Sequence, residues 1–332
     1  MITLTHGAGH APAPRIVIVG GGLGGLTLAR ALHVRGLAAA VYELDAPPAD
    51  AGGAPGHPLD LRAQVGLRAL EIAGVPEPGP GVSRAELRRM LLAGLPADRV
   101  VWDAPVTAVR PAPGGGHLVE LADGRAVPAD LVVGADGTWS RVRRALVDVE
   151  PDYTGMFVFA THLSDVDRRC PALAAFVGGG VSAFAEDRGL VARRVGAGVA
   201  VEVALRVPAG WTELVPVQRR TAPALRDRLA RHFTGWDYRL SALIRESDAL
   251  PLARAVYRLP ANLHWPRRPG VTLLGDAAHP GAPFADAGAN AGMLDAAELA
   301  VALADRPGDV EAALRVYESA LFARIGAVPA VR

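Results

Sequence analysis

Residues 15–26 read Arg15-Ile16-Val17-Ile18-Val19-Gly20-Gly21-Gly22-Leu23-Gly24-Gly25-Leu26. An apolar, β-branched run stopped by glycine is the pattern of a short buried strand. Over residues 23–35, Leu23, Leu26, Leu28, Ala29 and Leu32 recur at helical spacing, and Gly36 ends the run. Residues 38–43, Ala-Ala-Ala-Val-Tyr-Glu, make a second strand. Strand, helix and strand together take roughly 30 residues, the size of a βαβ crossover, so the two strands are expected to be parallel. Gly20, Gly22 and Gly25 fill the pattern G-x-G-x-x-G between strand and helix. The first glycine makes the tight turn, the second lets backbone approach a pyrophosphate, and the third lets helix and strand pack closely. The helix start offers unpaired N–H groups and the positive end of its dipole. Glu43 stands 18 residues after Gly25, at the end of the second strand, where a carboxylate accepts ribose hydroxyls. These features together predict a dinucleotide site.

Outward from that unit, residues 45–58 form a Pro/Gly-rich loop, and helical stretches follow near 63–73 and 84–93. Residues 99–134 alternate as strands, with turns at 114–116 and at Asp123-Gly124, and end in the buried run Leu131-Val132-Val133. A helix is expected over about 139–147. From about 152 to 265 the pattern becomes short alternating strands at 155–163, 181–185, 190–194 and 199–206, with a helix near 218–233. That reads as an antiparallel sheet inserted into the first unit. The buried-strand pattern returns at 271–274, followed by helices near 289–304 and 310–324. The fold class expected is therefore α/β: a Rossmann-like parallel sheet with helices, carrying an inserted, mainly antiparallel β domain. The boundaries are a flexible N-terminus at 1–14, the nucleotide-binding domain at 15–150 and 268–332, and a substrate domain at 151–267.

Composition narrows the chemistry. The 332 residues are 50% hydrophobic, enough for a sizeable core. With 35 basic and 34 acidic residues, the net charge of +1 gives no reason to expect nucleic acid or an anionic membrane as partner. Every one of those 35 basic residues is arginine. The absence of lysine excludes a Schiff-base lysine, a Walker-type phosphate loop and protein-kinase chemistry. The lone Cys170 forms no internal disulfide and reads as a small buried hydrophobe, and no zinc-type Cys/His spacing occurs. Residues 1–14 lack the basic and apolar regions of a signal peptide, and no apolar stretch of about 18 residues appears. A soluble, cytoplasmic protein without a metal is the expectation.

Two later segments choose among dinucleotides. One runs from Leu131 through Gly134-Ala135-Asp136-Gly137-Thr138-Trp139-Ser140 to Arg143. The other runs from Leu273-Leu274-Gly275-Asp276-Ala277-Ala278-His279-Pro280 to Pro283-Phe284-Ala285-Asp286-Ala287-Gly288-Ala289-Asn290. With them, the sequence from about residue 15 to 325 resembles the single-component flavin-dependent aromatic hydroxylases, the family of para-hydroxybenzoate hydroxylase. Pro58-Leu59-Asp60-Leu61 and Arg84-Ala85-Glu86-Leu87-Arg88 make it look closest to the tetracycline-inactivating flavin monooxygenases.

The resemblance implies an FAD-dependent monooxygenase that uses NADPH or NADH and O₂. It would hydroxylate an aromatic or polyketide-like small molecule through a flavin C4a-hydroperoxide, as a monomer or homodimer. It also implies roles. Gly20, Gly22, Gly25 and Glu43 would bind the ADP half of FAD, and Asp60 and Arg84 would lie beside the flavin. Asp136 and Gly137 resemble the Asp-Gly motif linked to FAD and to the passing nicotinamide. Asp276 would accept hydrogen bonds from the ribityl chain, and Pro283 would lie against the reactive face. Gly288, Ala289 and Asn290 would offer backbone N–H groups to the pyrimidine edge, while Phe284 is read either as lining the substrate pocket or as packing only. No side chain is expected to act as a catalytic acid or base, since the flavin carries the chemistry; His279 is read as shaping its turn. Asp286 stands where relatives usually have glycine, and is read either as a helix cap or as a charge opposing reduced flavin. The resemblance departs at Val75 to Arg84, where only eight residues intervene, and in the loop 45–56, which has no arginine. Those departures leave open a degenerate flavoprotein that binds without turnover, or another flavin oxidoreductase of the same fold.

Overall fold

Ile18 and Val41 are completely buried, each in the middle layer of a parallel sheet. The computed structural model describes residues 13–48, 59–79, 81–211, 222–248, 252–260, 262–279 and 287–327. In chain order, β1 (Ile16–Val19) leads through α1 (Leu23–His33) to β2 (Ala39–Tyr42). A π-helical turn at Ala63–Leu67 runs into α2 (Arg68–Ile72), and α3 (Arg84–Ala93) follows. The short β3 (Val100–Val101) precedes a meander of β4 (Val106–Pro111), β5 (His117–Leu121) and β6 (Ala126–Ala129). Next come β7 (Leu131–Gly134) and α4 (Arg143–Leu146).

The second unit holds β8 (Asp152–Leu163), α5 (Val166–Arg169), α6 (Pro171–Val177), β9 (Gly180–Phe184), β10 (Arg188–Val195) and β11 (Gly198–Arg206). It closes with α7 (Ala222–Arg231), α8 (Tyr238–Arg245) and β12 (Leu252–Arg258). The chain then returns through β13 (Val271–Leu273) to α9 (Ala287–Ala304) and α10 (Val310–Ala327).

Strand order in the first sheet is β13-β7-β1-β2-β3, with every pairing parallel. The second sheet runs β12-β8-β11-β10-β9, all antiparallel, and β4-β5-β6 form a third. The α/β class is therefore as expected. In the parallel sheet the chain moves to one side after β1 and later to the other, so the switch in direction lies between β1 and β7. Open α/β sheets bind ligands in the crevice outside the carboxyl ends of strands at such a point. Register aligns Val19 with Tyr42 and Gly134, and Gly134 with Leu273. The residues that follow, Gly20, Glu43, Ala135 and Leu274, consequently emerge along one edge.

The antiparallel sheet has two unlike faces, because successive side chains of a strand alternate. Phe157, Phe159, Leu190, Val201 and Val203 pack with α6, α7 and α8 in a core separate from that of the parallel sheet. The opposite face carries Val158, Ala160, Ala200, Glu202 and Ala204, together with Arg193.

Three expectations need revision. The helix expected over 139–147 is only the four residues of α4, because Asp136 holds the preceding residues in turns. Helices α5, α6 and α8 and strand β12 complete the second unit without having been anticipated. Cys170 is half-buried rather than buried, at the junction of α5 and α6. No described helix is long and apolar enough to cross a membrane.

Candidate cofactor and substrate site

The three glycines of the first motif have different surroundings. Gly20 has a φ of +103°, and a Cβ there would meet the Ala135 carbonyl oxygen at 2.4 Å. A Cβ on Gly25 would lie 1.9 Å from the Gly20 carbonyl oxygen, so α1 touches the turn directly. A Cβ on Gly22 would meet nothing within 4 Å. Gly22 is the N-cap of α1 and has no side chain to bond the first N–H groups of the helix, which leaves those donors for a ligand. Glu43 is buried at 7% exposure, accepts the Gly21 N–H, and accepts the Asp45 N–H at 3.0 Å.

Gly20, Gly22, Glu43, Asp136 and Gly137 line one cleft of about 730 Å³, along with Thr107, Trp139 and Arg141. That volume lies in the range of cofactor sites. The open space over Gly22, the donors of α1 and the carboxylate at the end of β2 fit the diphosphate and ribose of a dinucleotide.

The Asp-Gly motif is held from within. Asp136 accepts the Ser140 hydroxyl at 2.6 Å and the N–H groups of Arg141 at 2.6 Å and Val142 at 3.3 Å. Burial raises its pKa, and those hydrogen bonds oppose the rise. Its carboxylate thus caps its own loop at the wall of the cleft. Arg143 is buried at 2% exposure. It donates to the carbonyls of Val149 at 3.1 Å, Ala277 at 3.0 Å and Thr138 at 2.8 Å. One guanidinium therefore joins the loop after β7 to the loop after β13. Removing it strands the buried Ala277 carbonyl and two half-buried ones and opens a cavity. Arg143→Ala is expected to cost about 2–4 kcal/mol. For a chain of this length that lowers Tm by roughly 3–6 °C, measurable by calorimetry.

The loop after β13 rests on a buried carboxylate. Asp295, on α9, accepts the Gly275 N–H at 2.9 Å, contacts His279 Nε2 at 2.6 Å, and accepts Arg324 at 2.8 Å. Burial alone would lower the His279 pKa, but the Asp295 charge and hydrogen bond raise it above the ordinary value. The His279 N–H also donates to the Gly275 carbonyl at 2.8 Å. These contacts fit the reading of His279 as a residue that shapes the turn. Asp276 sits in the single turn Gly275–Ala277 between these supports.

Gly288, Ala289 and Asn290 occupy the first turn of α9, where the helix dipole favours negative charge. The Asn290 side chain, 1% exposed, donates to the Asp60 carbonyl at 2.8 Å and accepts the Arg62 N–H at 2.9 Å. Asp60 and Asn290, 230 residues apart, are thus brought together. The Asp60 carboxylate pairs with Arg193 at 2.6 Å, and Arg193 reaches Glu202 at 3.1 Å. This places the Arg193 and Glu202 face of the antiparallel sheet against the 59–62 segment. Arg84 begins α3 with its side chain exposed. Arg88, one turn later, is the arginine that reaches the glycine loop, donating to the Gly21 carbonyl at 3.1 Å. Pro283, Phe284 and Asp286 lie outside the described residues.

Residues 116–319 match the family described as FAD binding domain. The chain belongs to this family of FAD-dependent monooxygenases. It is 30% identical to 3-amino-4-hydroxybenzoate 2-monooxygenase PtnB3 of Streptomyces platensis, covering 97% of this chain and 87% of the relative. Among solved structures, HpxO of Klebsiella pneumoniae complexed with FAD and uric acid superposes with a TM-score of 0.71 at 25% identity, covering 94% of this chain and 85% of that one. Tetracycline destructase Tet(51) shares the fold at a TM-score of 0.60 and 17% identity, covering 95% and 88%. In this family the cofactor is FAD.

Proposed function

We propose that this monooxygenase consumes NAD(P)H and O₂ to hydroxylate an aromatic or polyketide-like small molecule. The supporting observation is convergence. The glycine loop, Glu43, the Asp-Gly loop and the Gly-Asp loop all emerge at the carboxyl ends of adjacent parallel strands. Bound FAD would supply hydride acceptance from the nicotinamide and oxygen activation at C4a. The protein's part is to bind, orient and exclude water. In this reading, residues 15–150 and 268–332 hold the cofactor and 151–267 supply the substrate-facing sheet. The first turn of α9, with Gly288, Ala289 and Asn290, presents backbone N–H groups and its dipole to the pyrimidine edge. That arrangement stabilises negative charge there by up to about 2 kcal/mol.

The proposal assigns Asp276 to the ribityl hydroxyls. A charged acceptor contributes roughly 1.5–3 kcal/mol, so Asp276→Ala is expected to weaken FAD binding by about 10- to 150-fold. Fluorescence titration of the apoprotein measures this, and an unchanged Kd removes the assignment.

A second reading, cofactor binding without turnover, draws on one observation. The match to PtnB3 extends over 364 aligned positions against 332 residues in this chain, so the relative carries extra segments. Screening aromatic and polyketide compounds for stimulated NAD(P)H oxidation by the yellow holoenzyme separates the two. A product heavier by one oxygen supports hydroxylation. Binding of aromatic compounds with no stimulated oxidation under either nicotinamide supports the second reading.

A further inference from the structure

Arg88 has no counterpart in the G-x-G-x-x-G reasoning, yet three of its contacts converge behind the phosphate loop. Its Nε donates to the Gly21 carbonyl at 3.1 Å. Its terminal nitrogen lies 3.9 Å from Glu43 Oε2. Its guanidinium sits 5.1 Å from the centre of the Trp102 ring, a cation–π distance that holds its plane. The side chain is 21% exposed, and Leu87 and Leu91 anchor the helix that carries it.

The geometry of one peptide gives these contacts a purpose. In a trans peptide, the carbonyl of one residue and the N–H of the next point in opposite directions. Arg88 holds the Gly21 carbonyl on the protein side of the loop. The Gly22 N–H must then point away from Arg88, and Gly22 is the loop residue with open space over it in the cleft. The other side of Gly21 is fixed as well, since its N–H is taken by Glu43. Arg88 and Glu43 thus grip both polar groups of Gly21, and the donor at Gly22 is aimed before any ligand arrives. Left ungripped, a run of three glycines is the most conformationally free stretch a chain can have.

We propose that Arg88 is a positioning residue that pre-organises the glycine loop for the diphosphate of the dinucleotide, acting through the Gly21–Gly22 peptide. It rests on the dinucleotide reading of this cleft. It separates two effects that a general weakening of the site would merge: recognition of diphosphate, which needs the Gly22 donor, and recognition of ribose, which needs Glu43.

The test is calorimetric titration of the apoprotein with ADP and with adenosine, for wild type, Arg88→Ala and Arg88→Lys. Arg88→Ala is expected to weaken ADP binding about ten- to a hundredfold and adenosine binding much less, so the ratio of the two affinities falls about tenfold. Arg88→Lys, which keeps a donor and a charge, recovers part of the loss and guards against an Arg88→Ala protein that does not fold. Unchanged ADP affinity in both variants overturns the proposal, as do equal losses for ADP and adenosine, which would place the effect at Glu43 instead. If wild type binds neither ligand, the dinucleotide reading of the cleft itself fails, an outcome distinct from failure of the Arg88 assignment.

Discussion

Asp295→Asn is expected to destabilise the protein by about 3–5 kcal/mol, because it leaves His279 and Arg324 facing a neutral amide in a buried site. On a chain of this size that is a fall of roughly 4–7 °C in Tm. The loss depends on pH in a direction fixed by the two partners. The His279 pKa is raised in the fold, so its stabilising share is complete below its ordinary value of 6.5 and fades as pH climbs through the raised value. Burial would raise the Asp295 pKa, but His279 and the hydrogen bonds bring it below 3.8; its share is present above that value and fades as pH falls through the lowered one. The gap between wild type and variant is therefore widest between 3.8 and 6.5. It narrows in alkaline solution without closing, since Arg324 stays charged. Urea melts at pH 5.5, 7 and 8.5 measure it, and a gap that widens with pH contradicts the pairing.

Gly22→Val and Gly25→Ala are expected to fail in opposite ways. Gly22 has an ordinary φ of −71°, and a Cβ there touches no protein atom within 4 Å. The apoprotein should keep its stability to within about 0.5 kcal/mol. The added side chain instead fills the space proposed for the pyrophosphate, and overpacking of roughly 1–3 kcal/mol is expected to weaken FAD by about 5- to 150-fold. In Gly25→Ala the new methyl collides with the Gly20 carbonyl at 1.9 Å. Helix and strand must separate, so stability falls together with binding. Thermal melts of the apoproteins beside FAD titrations distinguish the two. A Gly22→Val protein that binds FAD normally removes the phosphate site from this loop.

The legible parts of this molecule were those written in consecutive residues. Residues 16–42 show strand, helix and strand through apolar spacing and glycine. Leu131–Gly134 and Val271–Leu273 show buried strands for the same reason. Glu43 was legible because it follows the glycine motif at the spacing that places a carboxylate at the end of the second strand. What escaped notice joins distant positions. Arg88 meets Gly21 across 67 residues, Arg193 meets Asp60 across 133, and Asn290 meets Asp60 across 230. An arginine has no periodicity that announces its partner, and in a chain whose every cation is arginine it carries little contrast. The shortened α4 was misjudged because helical spacing over 139–147 competes with the Asp136 carboxylate, which bonds the Ser140 hydroxyl and two backbone N–H groups. Short helices such as α5 and α6, of four and seven residues, offer too few turns for a periodic signal.

Arg143 has a consequence for how the protein tolerates rearrangement. Its guanidinium spans from Thr138 to Ala277, so two loops 139 residues apart behave as one mechanical part. A chimera that imports residues 136–149 from a relative while keeping the native 275–279, or the reverse, would combine a clamp with a mismatched seat. Grafts that carry both segments together should express and fold, while single grafts should not. The unit of exchange in this architecture is accordingly a pair of loops drawn from two distant stretches of the chain.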